Sequence, residues 1–238
     1  MKTDILGISV HPDDIELAAC GTVLKHVDAG YQVGIVDLTQ GEMGTRGTAE
    51  LRLQEAQASS EILGLAFREN LGLEDSLFEI NQETLTPLVK SIRKYQPKVI
   101  IANALKDRHP DHGRAAELVR RAVFLSGLVK FETKEQGIVQ PRWRPKAVYH
   151  YIQDYRLHPD LVIDITPFAD KKMEAIMAFK SQFYDPNSTE PESPISSKEF
   201  LEYVQSADKI FGRFINVKYA EGFNVRRPIG VSDLTKLD

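Results

Sequence analysis

Cysteine is almost absent: Cys20 stands alone among 238 residues, so no disulfide can form within the chain. A single thiol fits a reducing compartment, and a cytoplasmic location is the expectation. Long apolar runs are missing as well. Nothing approaches the length needed to span a bilayer, and the short apolar stretch near the start contains Gly7 and Ser9 and reads as a first strand, not a signal peptide. Neither sign of charge dominates, with 30 Lys and Arg against 34 Asp and Glu and a formal net charge of −4. Electrostatics therefore gives no reason to expect nucleic acid or a membrane as a partner. No Gly-x-Gly-x-x-Gly follows the first strand and no P-loop occurs, which removes the usual phosphate-cradling signatures. Repeats, low-complexity tracts and linkers are lacking too, so residues 1–238 are expected to form a single domain.

What is present is an alternation of strand and helix. Ile5 to Val10 reads as a strand, Asp14 to Ala29 as a helix with Leu17, Ala18, Val23, Leu24 and Val27 on its apolar face, and Gly30 stands where a C-terminal cap belongs. Val33 to Leu38 is a second strand, Thr48 to Leu63 a second helix closed by Gly64, and Phe67 to Leu71 a weak third strand. Leu85, Leu88, Val89 and Ile92 have amphipathic helical spacing, in which Pro87 fits only near the start. Val99 to Asn103 is a strand and Gly113 to Ser126 a helix. Such alternation predicts an α/β, Rossmann-like, doubly wound and mostly parallel sheet with helices on both faces. In the common strand order the first and fourth strands are neighbours. The second half is less regular: strands at Ala147–Ile152 and Leu161–Ile165, a helix from Pro167 to Phe183, an exposed loop from Tyr184 to Ser197, a helix from Lys198 to Phe211, and an irregular tail from Val217.

Two tetrapeptides carry the chemistry. His11-Pro12-Asp13-Asp14 follows the first strand, and His109-Pro110-Asp111-His112 follows the fourth. Open α/β sheets place their sites at the carboxyl ends of strands, so the two motifs are expected in one crevice. A catalytic zinc takes three nitrogen or oxygen ligands and keeps one position open for water. His11, Asp14 and His112 supply that set, leaving the metal with net positive charge and the water with a pKa near about 7. Asp13 is left free beside the metal to take the proton from that water. His109 is expected, as imidazolium, to stabilise an oxyanion and protonate a leaving amine, with Asp111 holding its tautomer. Ferrous iron suits the same ligands.

Other candidates read as structural. His158-Pro159-Asp160 is a third copy of the motif, but it opens a strand instead of closing one. Cys20 lies mid-helix among small residues, His26 on a charged helix face and His150 within an aromatic strand. The loop Gln40 to Thr45 after the second strand can form a substrate rim, and Arg52 beyond it is either part of that rim or a solvated helix face.

With Arg108 and Gly113 flanking the second motif, the chain resembles the LmbE-like (PIG-L) zinc-dependent N-acetylglucosamine deacetylase family along nearly its whole length. Asp37-Leu38-Thr39 with Gly41-Glu42, Leu51-Arg52 with Glu55-Ala56, Val162 to Ile165, Lys180 to Phe183 and Tyr219 to Phe223 look most like the bacillithiol-making branch. The resemblance implies zinc on His11, Asp14 and His112, Asp13 as base, His109 as its acid or electrostatic partner, and Arg52 and Arg108 near a substrate carboxylate. It implies removal of acetate from N-acetylglucosaminyl malate, a small sugar conjugate, by a closed homo-oligomer. In some members a tyrosine from a mobile C-terminal loop approaches the metal, and Tyr184 and Tyr203 are the candidates here. Deacetylation of another N-acetylglucosamine compound is the alternative enzyme. A non-catalytic sugar- or nucleotide-binding α/β module is the alternative of another class, and the full ligand set counts against it.

Overall fold

Strands buried on both faces read as continuous apolar runs and belong in the middle of a parallel sheet. β1 (Ile5–Ser9) and β2 (Val33–Thr39) are buried along their whole lengths. The computed structural model describes residues 2–236. In chain order β3 (Phe67–Leu73) and β4 (Val99–Ala102) follow, then a small hairpin of β5 (Lys134–Glu135) and β6 (Ile138–Val139), then β7 (Ala147–Tyr151), β8 (Leu161–Asp164) and β9 (Ala220–Asn224). The main sheet has seven strands in the order β3-β2-β1-β4-β7-β9-β8. Its first five members are mutually parallel, and β9 runs antiparallel to both β7 and β8. This is the α/β, mostly parallel architecture expected, with β1 and β4 adjacent.

The pleat sorts the core into two layers. Leu6, Ile8, Val36 and Leu38 face helices α4 (Gln82–Tyr95) and α5 (Pro110–Ser126), where Leu88, Val89, Ile92, Leu118 and Val119 are buried with them. Ile5, Val33 and Ile35 face the other way, toward α1 (Asp14–Ala18) and α2 (Cys20–Asp28). α3 (Ala49–Leu63) and α6 (Ala169–Met177) pack beside that layer, and α7 (Lys198–Phe214) lies on β9. Among the described residues no helix is long and apolar enough to cross a membrane.

Four expectations are corrected. The first helix breaks at Ala19, where φ is −148°. The break frees the N-terminus of α2, and the Glu221 carboxylate accepts the Gly21 and Thr22 N–H groups at 2.9 and 2.7 Å, as a helix N-terminus favours. α5 begins at Pro110, three residues before Gly113. Proline tolerates the first turn because its missing N–H is not needed there, and the ring of His109 caps the Asp111 N–H. Residues 167–183 form a 3-10 turn (Thr166–Phe168) and a helix that stops at Met177. The irregular tail contains β9, a fully buried strand between β7 and β8. Ala-Glu-Gly-Phe-Asn has no β-branched residue to announce a strand, and Glu221 is tolerated inside because its charge is answered. Lys172 Nζ donates to Glu221 and Asp208, at 2.9 and 3.0 Å. A second buried cluster joins Arg68 to Asp37 and Glu16, each at 2.7 Å.

Candidate active site

The register aligns Ile8 with Ala102 across β1 and β4, so the turns that follow these strands open on one edge of the sheet. The loops after β3 and β7 open on the same edge. Together with Met43, Gly44, Thr45 and the inner face of α7 they enclose a cavity of about 330 Å³ that contains His11, Asp13, Asp14, His109 and His112.

One ligand atom from each of His11, Asp14 and His112 lies within 4.8 Å of the others. Asp14 is the hub. Its Oδ2 accepts the Val10 and His11 N–H groups at 3.1 and 3.0 Å and the Asn103 side-chain amide at 2.8 Å. Its Oδ1 accepts from Gln153 at 2.9 Å and faces His112 Nε2 at 3.2 Å. Burial raises the Asp14 carboxyl, but the two imidazoles outweigh burial and hold it well below the usual carboxylate range. Behind each histidine stands a further carboxylate. Asp107 Oδ2 lies 2.5 Å from His112 Nδ1, leaving Nε2 toward Asp14. Asp75 Oδ1 lies 3.2 Å from His11 Nε2, leaving Nδ1 toward Asp14 at 3.8 Å. Burial depresses both rings and the neighbouring carboxylates overcome it, raising His11 to about 10 and His112 to about 9. Two imidazoles and a carboxylate converging, with outer carboxylates fixing both rings, fit a divalent metal site. A second grouping, His11, His109 and Asp111, satisfies the same distance test.

Asp13 sits beside this set on backbone with φ 153° and ψ −16°, a conformation that L residues adopt only under strain. Burial raises its carboxyl to about 7, against the pull of the Arg52 guanidinium. Arg52 Nη1 donates to Asp13 Oδ2 at 3.2 Å. The Arg52 guanidinium also lies against Gly41 and Gly44, where an added Cβ would come within 2.9 and 3.0 Å of it. Arg52 is therefore buried against the candidate base, and it also lines the cavity. His109 lies 4.7 Å from His11 and 5.2 Å from His112, ring to ring. Its Nδ1 accepts the Asp111 N–H at 3.3 Å, so its proton belongs on Nε2. Burial and the two neighbouring histidines lower its pKa. The Asp111 carboxylate makes no hydrogen bond to the His109 ring; it accepts from Ser76 N and Arg114 Nη1, at 3.0 and 2.9 Å. The tautomer of His109 is set instead by the helix N-terminus it caps.

Arg108 is exposed on the cavity rim and pairs through Nε with Asp154. Tyr203 lines the cavity and Tyr184 does not. His158 lies outside the cavity with its ring tilted on Phe214, and His26 and His150 each donate through Nδ1 to a backbone carbonyl, of Thr22 and Asn103. Sequence reasoning missed Asp75, Asn103, Asp107 and Gln153. Each lies in a loop just after a parallel strand, β3, β4 or β7, and that position was the signal available.

Residues 6–123 match the profile of the family described as PIG-L, GlcNAc-PI de-N-acetylase. The diacetylchitobiose deacetylase of Thermococcus kodakarensis is 29% identical over 92% of this chain and 81% of its own length. A 4-oxalmesaconate hydratase of Pseudomonas putida is 28% identical over 74% of this chain and 73% of its own. A probable N-acetyl-α-D-glucosaminyl L-malate deacetylase of Bacillus subtilis is 28% identical over 76% of this chain and 84% of its own. Among solved structures, a conserved protein of Thermus thermophilus superposes with a TM-score of 0.86 at 32% identity, covering 99% of this chain and all of that one.

Proposed function

The chain belongs to the PIG-L family, most of whose similar members are deacetylases, and from that premise we propose that it is a metal-dependent N-deacetylase acting on N-acetylglucosaminyl malate. The observation that carries the reading is geometric: His11, Asp14 and His112 converge in one cavity with the buried Asp13 carboxyl beside them. Zinc or ferrous iron held there supplies a Lewis acid for the amide carbonyl and makes water a nucleophile at neutral pH. Asp13 takes the proton of the attacking water, because a base poised near neutrality both accepts a proton and releases one. The same carboxyl returns that proton to the departing glucosamine nitrogen. His109 donates its Nε2–H to the oxygen that gains charge as water adds, a donor fixed in place before the reaction. Asp75 and Asp107 keep the two ligand histidines in one orientation. The products are glucosaminyl malate and acetate.

Acetate release from N-acetylglucosaminyl malate, diacetylchitobiose and N-acetylglucosamine by the metal-loaded protein tests the reading. The malate conjugate is expected to have the highest kcat/KM. Preference for diacetylchitobiose would move the substrate to chitin-type sugars, and hydration of 4-oxalmesaconate without any acetate release would remove the deacetylase.

A further inference from the structure

A second cavity, of about 730 Å³, shares no lining residue with the catalytic one. It lies between α5, β7 and residues 225–230, the segment that follows β9. β9 pairs with β7 only at His150–Asn224 and Tyr151–Phe223, and the cavity opens where that pairing stops. Part of its wall is apolar, with Val123 from α5, Val148 from β7 and Ile229 from the departing segment.

The charge around it is all of one sign. Arg120, Arg144, Lys146, Arg226 and Arg227 line the cavity, and among the described residues no carboxylate does. Arg120 spends its Nε and Nη2 on Glu117. The other four make no ion pair among the described residues, in a chain whose formal net charge is −4. Two of them are held in place. The Arg144 guanidinium carbon lies 5.7 Å from the Phe124 ring centroid, and a Cβ added at Gly127 would stand 2.4 Å from its Nε. Arg227 donates through Nη2 to the Lys146 carbonyl. Cations gathered in a concave, partly apolar site repel one another and attract an anion more strongly than the same charges in open water. His150 shares a face of β7 with Val148 and completes the wall. Its Nδ1 donates to the Asn103 carbonyl at 2.8 Å, which leaves Nε2 as a bare acceptor on the neutral ring.

We propose that this cavity binds a small organic diphosphate. The phosphoryl oxygens meet Arg144, Lys146, Arg226 and Arg227, an apolar body covers Val123, Val148 and Ile229, and a hydroxyl or N–H donates to His150. Guanidinium forks suit phosphate oxygens, and several of them around one group suit more than a single negative charge. The volume is that of a small-molecule site. A nucleic acid would need a longer basic track, and the rest of the chain is more acidic still. Nothing in the proposal depends on the chemistry at His11, Asp14 and His112.

Calorimetry on the metal-loaded protein tests it, with adenosine diphosphate, inorganic pyrophosphate and adenosine as probes. Adenosine diphosphate should bind, pyrophosphate should bind more weakly for want of apolar contact, and adenosine should bind weakest of the three. Arg226→Gln and Lys146→Gln replace side chains that bond to nothing else in the fold, and each should weaken adenosine diphosphate by about tenfold, as loss of a charged hydrogen bond does. Arg226→Lys should recover part of that loss. His112→Ala should bind adenosine diphosphate as the native protein does, because the two cavities share no residue. Failure of the native protein to bind either phosphate would overturn the proposal, as would affinity unchanged in both Arg226→Gln and Lys146→Gln. Binding lost in His112→Ala would place the anion on the metal and overturn it too. A single-stranded oligonucleotide held more tightly than adenosine diphosphate through Arg226 and Lys146 would replace the small ligand with a nucleic acid.

Discussion

Asp13 occupies strained backbone, and its carboxyl feels burial, Arg52 and Asp14 at once. Asp13→Asn keeps the shape and the hydrogen bond to Arg52 but cannot accept a proton. Turnover should fall by about 10²–10⁴ with metal content unchanged. Parallel loss of metal and activity would make Asp13 a ligand. Lys172 is the other residue whose surroundings decide its behaviour, since it is buried between Asp208 and Glu221. Lys172→Met leaves two carboxylates without their cation and should cost ~3–5 kcal/mol at pH 8. Burial already raises Asp208 to about 6 even with Lys172 pulling it down. Without Lys172 it rises further. A carboxyl whose folded pKa exceeds its unfolded value adds stability at low pH and loses it as pH climbs through the folded pKa. The deficit of Lys172→Met should therefore be smaller at about pH 5 than at pH 8 in urea titrations; a deficit independent of pH would mean that Asp208 does not titrate in this window.

At the scale of elements, β2 was readable as a strand, yet its Gly34 was not readable as a requirement. A Cβ at Gly34 would stand 2.2 Å from the Phe67 ring of the neighbouring β3, and that ring is stacked on Tyr95 at 3.7 Å. Gly34→Ala should lower stability by ~1–3 kcal/mol, the range for forcing atoms into a filled core, although alanine removes chain entropy from the unfolded state. A guanidinium midpoint equal to or above that of the native protein would show that Phe67 can move. The start of α5 teaches a related lesson. Pro110 was read as part of a loop, whereas it fills the first helical position and turns His109 into a cap. The bond from the Asp111 N–H holds the ring without help from the Asp111 carboxylate.

For the whole molecule, the site exists only when loops after β1, β3, β4 and β7 meet. Metal bound at that junction binds the folded chain alone, so it must stabilise the fold. At a free zinc concentration of about 1,000 times Kd the gain is ~4 kcal/mol. Protein stripped with chelator should lose acetate release and melt at lower temperature, and added zinc should restore both. His112→Ala should show neither the melting shift nor the recovery. A shift that persists in His112→Ala would place the ion on other groups, such as His11, His109 and Asp111.

The periodicity of Ile5–Ser9, Val33–Thr39 and Val99–Ala102 determined the parallel sheet by itself, because two-faced burial leaves a continuous apolar run that local reading detects. The paired motifs likewise brought His11, Asp14 and His112 to one crevice, since strand ends fix where post-strand loops go. Only tertiary structure could decide the rest. β9 is a strand because Lys172, distant in sequence, and the N-terminus of α2 neutralise Glu221. Arg52 meets Asp13 because the turn through Gly41 and Gly44 leaves room for its guanidinium beside that carboxyl. Asp107 and Asp75 became the partners of His112 and His11, and Asp111 did not become the partner of His109, because hydrogen bonds between loops depend on side-chain direction in three dimensions, which spacing along a chain does not encode.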